Sequence, residues 1–278
     1  MITIELEYFS LSQICDSGQC FRMRKLEQNR YAVIAADKYL EITQEGTIVT
    51  FHCSEEEFLF FWVLYFDLDT DYSAFISAIN PRDHYLSRAA DFGWGIRILH
   101  QDLWEMIVSF LISQQNNIRR IRRCIENICQ AYGAHLYTPD GGEYYAFPTP
   151  EALAQATEEE LKEYNLGYRA KYVLQAAQDV CSGKISLEKI ACIKQYKRAK
   201  KALLDIYGVG EKVADCICLF ALHHMDAFPV DTHIHQVLEA HYKRGFPNRR
   251  YRGIRGILQQ YIFYYELKSG QESTGNGI

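Results

Sequence analysis

A chain of 278 residues with 48% hydrophobic content can bury a large core in one or two domains. Its net charge of −5 excludes a protein that coats nucleic acid by bulk charge. That total conceals an asymmetry, since residues 1–95 carry 7 Lys/Arg against 15 Asp/Glu, a net of −8, while residues 96–278 carry 23 against 20, a net of +3.

In chain order, residues 1 to about 53 read as antiparallel strands. FRMRKL, RYAVIAA, YLEIT and TIVTFHC are β-rich runs parted by turn signals at Gln28-Asn29 and Glu45-Gly46. Ser54 then reads as an N-cap, with Glu57 closing a capping box and the aromatic run FLFFWVLYF as core. Asn80-Pro81 marks a turn, and the charge shift near 95 marks the domain boundary. The fold class expected is α+β: an N-terminal antiparallel β domain with helices over 1–95, then an all-α domain over 96–278. Helix starts are legible at Thr149-Pro150, at Thr157 with Glu160, and after the break Leu166-Gly167, while 138–150 is a turn-rich loop. Residues 269–278, SGQESTGNGI, read as a frayed tail.

The most informative stretch is Ile206 to Val237. Gly208 and Gly210 flank Val209 between two helical runs, which gives a helix-hairpin-helix over about 198–222. Glycines let another backbone approach closely, and the unpaired N–H groups opening the second helix suit a phosphate. Lys212 falls in the first turn of that helix, where the dipole disfavours an ammonium and favours the neutral, nucleophilic amine. Pro229 ends the pattern, and Asp231 stands where the next helix begins. Taken singly, Lys212 is a surface lysine and Asp231 an N-cap. Their joint setting in this hairpin is what singles them out.

The run GVGEKVADCICL followed by VDTH closely resembles the helix-hairpin-helix DNA glycosylases, and within them the 8-oxoguanine DNA glycosylases. SGQCFR (Ser17 to Arg22), IRILHQDLWE (Ile96 to Glu105), SFLISQQNNIRRI (Ser109 to Ile121) and LGYRAKYV (Leu166 to Val173) resemble further blocks of that family in the same order. The resemblance implies a base-excision repair enzyme that flips 8-oxoguanine out of duplex DNA, removes it through a Schiff base on Lys212 with Asp231 stabilising the charged sugar, and cuts the strand by β-elimination. It implies that Gly18 reads the lesion through its carbonyl, that Cys216 and Phe263 sandwich the base, that Gln259 bonds its edge, and that Phe220 walls the pocket. It places Asn116, Arg120 and Arg169 on an estranged cytosine with Tyr168 as the wedge, and His233 with Gly208 and Gly210 on phosphate. Gln115 stands where an asparagine is common in the family, and Met23 where an aromatic is common after Phe-Arg. The alternatives are a glycosylase for another oxidised or alkylated base, and a non-enzymatic helix-hairpin-helix DNA-binding module.

Clusters at Arg119, Arg120, Arg122 and Arg123 and between Lys243 and Arg255 offer cations to DNA. Nine cysteines at irregular spacing, with no leading hydrophobic segment, point to a reducing interior and not to secretion. That means cytoplasm or nucleoid in a bacterium or archaeon, and the nucleus in a eukaryote. Cys216 and Cys218, two apart on a helix, cannot chelate together, and no cysteine follows to build an iron–sulfur cluster, so no metal is assigned. No cofactor is required on this reading, although a structural monovalent cation at the hairpin carbonyls stays open. The expected partner is double-stranded DNA containing 8-oxoguanine, bound by a monomer with no membrane association.

Overall fold

The computed structural model describes residues 1–272. Five strands, β1 (Ile2–Glu5), β2 (Met23–Glu27), β3 (Arg30–Ala35), β4 (Lys38–Glu45) and β5 (Ile48–Phe51), form an antiparallel sheet in the order β1-β5-β4-β3-β2. Alternation supplies the reason for its inner face: Leu40, Ile42, Val49 and Phe51 are fully buried, whereas their neighbours along the strands are not. These side chains meet Phe9, Leu11, Ile14, Trp62 and Phe66 in one of two hydrophobic cores.

Between β1 and β2 the chain forms a short helix, Leu11–Asp16, capped by Ser10, which a reading of continuous strands did not include. Ser54 does cap the next helix, accepting from Glu57 N at 3.1 Å. The expected capping box is not closed there, because the Glu57 carboxylate accepts from Trp62 Nε1 at 2.6 Å. A fully buried indole N–H needs a partner, and Glu57 is within reach. Within this helix, Phe58–Trp62 is widened into a π turn.

The second core is helical. Helices Tyr72–Ser77 and His84–Phe92 contribute to it, and the latter packs against the terminal helix Arg255–Glu272. Thus the larger core already draws on residues before 95. Helix Leu103–Ser113 lies in its middle, buried continuously from Trp104 to Ile112. Thr149-Pro150 opens a helix as expected, and Thr157 with Glu160 forms a complete capping box. A two-stranded hairpin, His135–Tyr137 with Glu143–Tyr145, replaces part of the expected loop. The terminal helix continues to Glu272, past the expected start of the tail, whose residues 273–278 lie outside the described ones. Among the described residues no helix is long and apolar enough to cross a membrane.

Arg22 and Glu105 tie the segment before β2 to the central helix, with Arg22 Nη1 4.0 Å from Glu105 Oε2 and both side chains almost wholly buried. Burial lifts the Glu105 carboxyl from 4.5 to about 7, even though the Arg22 cation opposes the shift. The folded protein therefore holds this proton to higher pH than the unfolded chain does. Unfolding releases it between pH 4.5 and about 7, so stability contributed here falls as pH rises through that window. Glu105→Gln removes the titration, and denaturant unfolding measured at the two ends of the window should show a flatter pH dependence than wild type. An unchanged slope would mean that Glu105 is ionised throughout.

Candidate active site

A cavity of about 760 Å³ opens where the loop after helix Leu11–Asp16, the C-terminal end of helix Leu103–Ser113, the lysine-bearing helix Glu211–Phe220, the segment at Pro229 and the terminal helix converge. It is lined by Lys212, Asp231, Gly18, Cys216, Phe220, Gln259, Phe263, Asn116 and His233, residues drawn from five separate parts of the chain. Arg120, Tyr168, Arg169, Gly208 and Gly210 are not among its lining residues.

Helix Tyr196–Leu204, the glycine turn and helix Glu211–Phe220 form the hairpin. Gly208 has φ +88°, and a Cβ there would lie 2.5 Å from Tyr172 Cγ, so both the turn and the close ring contact require glycine. Its carbonyl accepts from Gln114 Nε2 at 3.0 Å, which ties the hairpin to the end of the central helix. Gly210 is the N-cap and offers no side-chain cap, and open space surrounds its Cα. The first N–H groups of the helix therefore keep donors for an outside acceptor.

Lys212 lies next, half-buried, with Nζ 5.4 Å from the centroid of the Phe110 ring. Phe110 stacks on Phe220 at 5.6 Å and meets Phe21 edge-on at 5.7 Å, so the amine rests on an aromatic floor. Cys216 follows one turn later. Its burial raises the thiol pKa, with Lys212 opposing, and keeps that wall uncharged.

Asp231 enters from extended backbone after Pro229 and caps helix Thr232–His241. One carboxylate oxygen accepts from Ile234 N at 2.9 Å, and the other lies 3.3 Å from His233 Nδ1. The cap fixes the carboxylate in place and leaves it on the cavity wall.

Gly18 has φ +75°, and a Cβ there would stand 3.1 Å from the edge of the Phe263 ring. The loop around it is held by Gln19, which is fully buried. Gln19 Nε2 donates to Ser17 Oγ at 2.9 Å and to the Arg97 carbonyl at 2.8 Å, while Gln19 Oε1 accepts from Leu99 N at 2.9 Å. Gln101 Nε2 donates to the Gln19 carbonyl at 2.9 Å. Sequence reading passed over Gln19, although it lies within SGQCFR. It also passed over Phe110 within SFLISQQNN, and these quoted blocks were the available signal. Across the cavity, Gln259 Nε2 donates to the Pro229 carbonyl at 3.0 Å, and its buried Oε1 has no partner among the described residues.

The residues assigned to the opposite base lie on the turn after helix Leu103–Ser113 and at the starts of helices Ile118–Tyr132 and Arg169–Cys181. Arg169 is buried, donating through Nε to the Gln114 carbonyl at 2.7 Å and through Nη2 to the Gln115 carbonyl at 2.9 Å. Here its guanidinium braces a strained turn, since Gln115 has φ +47°. Asn tolerates that conformation more readily than Gln, which gives the departure at Gln115 a physical meaning. Tyr168 is exposed, with the Arg169 guanidinium 4.5 Å from its ring centre. Arg120 is exposed and donates to the Asn165 carbonyl at 3.4 Å, and Asn116 Nδ2 donates to the Ile112 carbonyl at 3.1 Å. Met23, the other departure, is buried in β2 opposite Val33, within the sheet core.

Similarity to known proteins agrees with this geometry. The family model described as the 8-oxoguanine DNA glycosylase N-terminal domain matches residues 1–107, and that of the helix-hairpin-helix superfamily of base-excision DNA repair proteins matches 108–260. The N-glycosylase/DNA lyase of Saccharomyces cerevisiae is 32% identical over 271 residues, covering 87% of this chain and 70% of that protein. The apo crystal structure of the Clostridium acetobutylicum 8-oxoguanine glycosylase/lyase is 38% identical with a TM-score of 0.88, covering 94% of each chain. Its complex with double-stranded DNA containing cytosine opposite 8-oxoguanine is 36% identical with a TM-score of 0.91, covering 97% of this chain and 99% of that one.

Proposed function

The chain belongs to the 8-oxoguanine DNA glycosylases of the helix-hairpin-helix superfamily, and from that membership and the cavity we propose that it excises 8-oxoguanine from duplex DNA and cleaves the strand as a lyase. The observation that carries this reading is the convergence of Lys212 and Asp231 on one cavity with Gly18, Cys216, Gln259 and Phe263. A basic amine, a fixed carboxylate and a slot between a thiol and an aromatic face are the parts that excision of a flipped purine requires.

The Lys212 amine attacks C1′ of the flipped nucleotide. The N-glycosidic bond breaks, its electron pair leaves with the base, and loss of the amine protons with sugar-ring opening gives an imine. Removal of a C2′ proton then expels the 3′ phosphate by β-elimination. Positive charge develops on the sugar as the base departs, and Asp231, held by its own helix cap, stabilises it without reorganising. Asp231→Asn retains the cap, because asparagine caps as well as aspartate. It should therefore keep stability and DNA affinity while slowing base release by about 10²-fold in single-turnover assays. Base release at the wild-type rate in this variant would mean that the carboxylate charge does not assist departure of the base.

In the pocket, the Gly18 carbonyl accepts the N7 hydrogen that 8-oxoguanine carries and guanine lacks. Gln259 Oε1, already unpartnered, accepts from the pairing edge of the base. Arg120 and Asn116, and Arg169 once its guanidinium leaves the Gln114 and Gln115 carbonyls, supply donors for the O2 and N3 acceptors of an estranged cytosine, with Tyr168 beside it, and adenine's N6 donor would meet them poorly. Gly208, Gly210 and His233 face the phosphates.

Two variants test this reading. Lys212→Gln should bind an 8-oxoguanine:cytosine duplex but form no adduct on borohydride reduction and cut no strand, since an amide lacks the basic lone pair. Substantial trapping in that variant would overturn the lysine mechanism. Gly18→Ala is strained at φ +75° and crowds Phe263. It should lose roughly ten- to a hundredfold of the binding preference for 8-oxoguanine over guanine. Affinity for a duplex with an abasic-site analogue should change little, and an equal loss on all three duplexes would place discrimination elsewhere.

A further inference from the structure

On the far side of the lysine helix, Asp67, His100 and His223 come together from segments distant in sequence, and their possible ligand atoms all lie within 4.8 Å of one another. Asp67 Oδ1 is 3.6 Å from His100 Nε2, and Asp67 Oδ2 is 3.6 Å from His223 Nε2. Those separations are too long for hydrogen bonds. Each is close to the roughly 3.4 Å between two ligands about 2.1 Å from one tetrahedral ion, and because the two contacts use different oxygens, the Asp67 carboxylate must ligate through both or turn to present one. We propose that Asp67, His100 and His223 form a divalent-metal site, suited to Zn²⁺, that fastens the sheet domain to the C-terminal end of the lysine helix.

One feature of the surroundings favours a metal. Tyr72 and Thr70 hydroxyls donate to the two Asp67 oxygens at 2.8 and 2.7 Å, an outer shell that orients the carboxylate. His223 Nε2 lies 3.2 Å from the Ile98 carbonyl, which can only accept, so this nitrogen gives up its N–H proton when it binds an ion.

Two further features act against binding and shape the expectation. The imidazoles stack face to face, centroids 3.6 Å apart at 18°, so one ring must tilt to aim its lone pair at the ion. His100, on the segment joining the two cores and with the more exposed side chain, is the ring with room to do so. Arg97 donates to the Asp67 backbone carbonyl at 2.7 Å and puts a positive charge nearby. Zn²⁺, bound by nitrogen and oxygen together, tolerates this better than an ion that needs several carboxylates.

The test uses full-length protein stripped with a chelator and titrated with Zn²⁺ by calorimetry, and with Co²⁺ by visible absorption. Wild type should bind one equivalent of Zn²⁺ and show a raised Tm, and Co²⁺ should give a spectrum without a thiolate charge-transfer band. His100→Gln and His223→Asn should each weaken binding at least about tenfold and abolish the Tm rise. Asparagine is chosen because His223 has φ +51°, which it tolerates. The wild-type cobalt spectrum stands as evidence even if a variant folds poorly. Absence of stoichiometric binding, a thiolate band, or wild-type affinity in both variants would overturn the proposal.

Discussion

The contact on which the site depends is the packing of Phe110. Its ring touches Phe21 from the loop before β2, Phe220 from the end of the lysine helix, and the Lys212 amine itself. Three segments separated by up to some two hundred positions are thus registered on one side chain of a helix that is buried on nearly every face. Rotation of any of them would move the amine relative to Gly18. Aromatic contacts of this kind contribute about 0.5–1.5 kcal/mol each beyond the area they bury. Their larger effect here is geometric, since reacting groups need placement to within a fraction of an ångström.

Polar groups around this floor are fixed by bonds to backbone, which leaves few of them free to rearrange. Gln19 spans the loop carrying Gly18 and the segment 97–101, Gln114 reaches the Gly208 carbonyl, and Asp231 is bound to the helix it caps. The Gln19 bonds are buried and so costly to break, about 1–3 kcal/mol when a partner is left unsatisfied, while the other two are part-buried. Against this fixed frame, the open donors at Gly210 and the unpartnered Gln259 Oε1 are sites where a ligand supplies the missing bond. Such rigidity suits a reaction whose charge appears only in the transition state.

Local chemistry made much of this readable beforehand. Thr157 with Glu160 and Thr149 with Pro150 announced helix starts because caps act over three residues, and the glycine turn announced the hairpin because only glycine fits beneath Tyr172 at φ +88°. Helix Leu11–Asp16 was hidden because six residues are too few to show a helical period. The turn between β3 and β4 gave no signal, since Ala36 adopts φ +53° where glycine or asparagine is usual. Glu57 could have closed a cap, and only the fold shows that buried Trp62 takes it. Arg169 could be matched to DNA contacts from its block, but its grip on the Gln114 and Gln115 carbonyls is a tertiary fact. The Asp67, His100 and His223 cluster is likewise invisible in sequence, where its members are scattered across more than half the chain.

The central claim is that one particular amine in this cavity is the nucleophile, and a rival exists in the same walls. Lys268 also lines the cavity, although it donates to Asp16 Oδ2 at 2.7 Å and is held as an ion pair. The decisive measurement is tandem mass spectrometry of wild-type protein reduced with borohydride during turnover of an 8-oxoguanine:cytosine duplex, after digestion, to locate the sugar remnant. The account predicts the remnant on the peptide carrying Lys212. A remnant on Lys268, or on the protein's terminal amine, would contradict it.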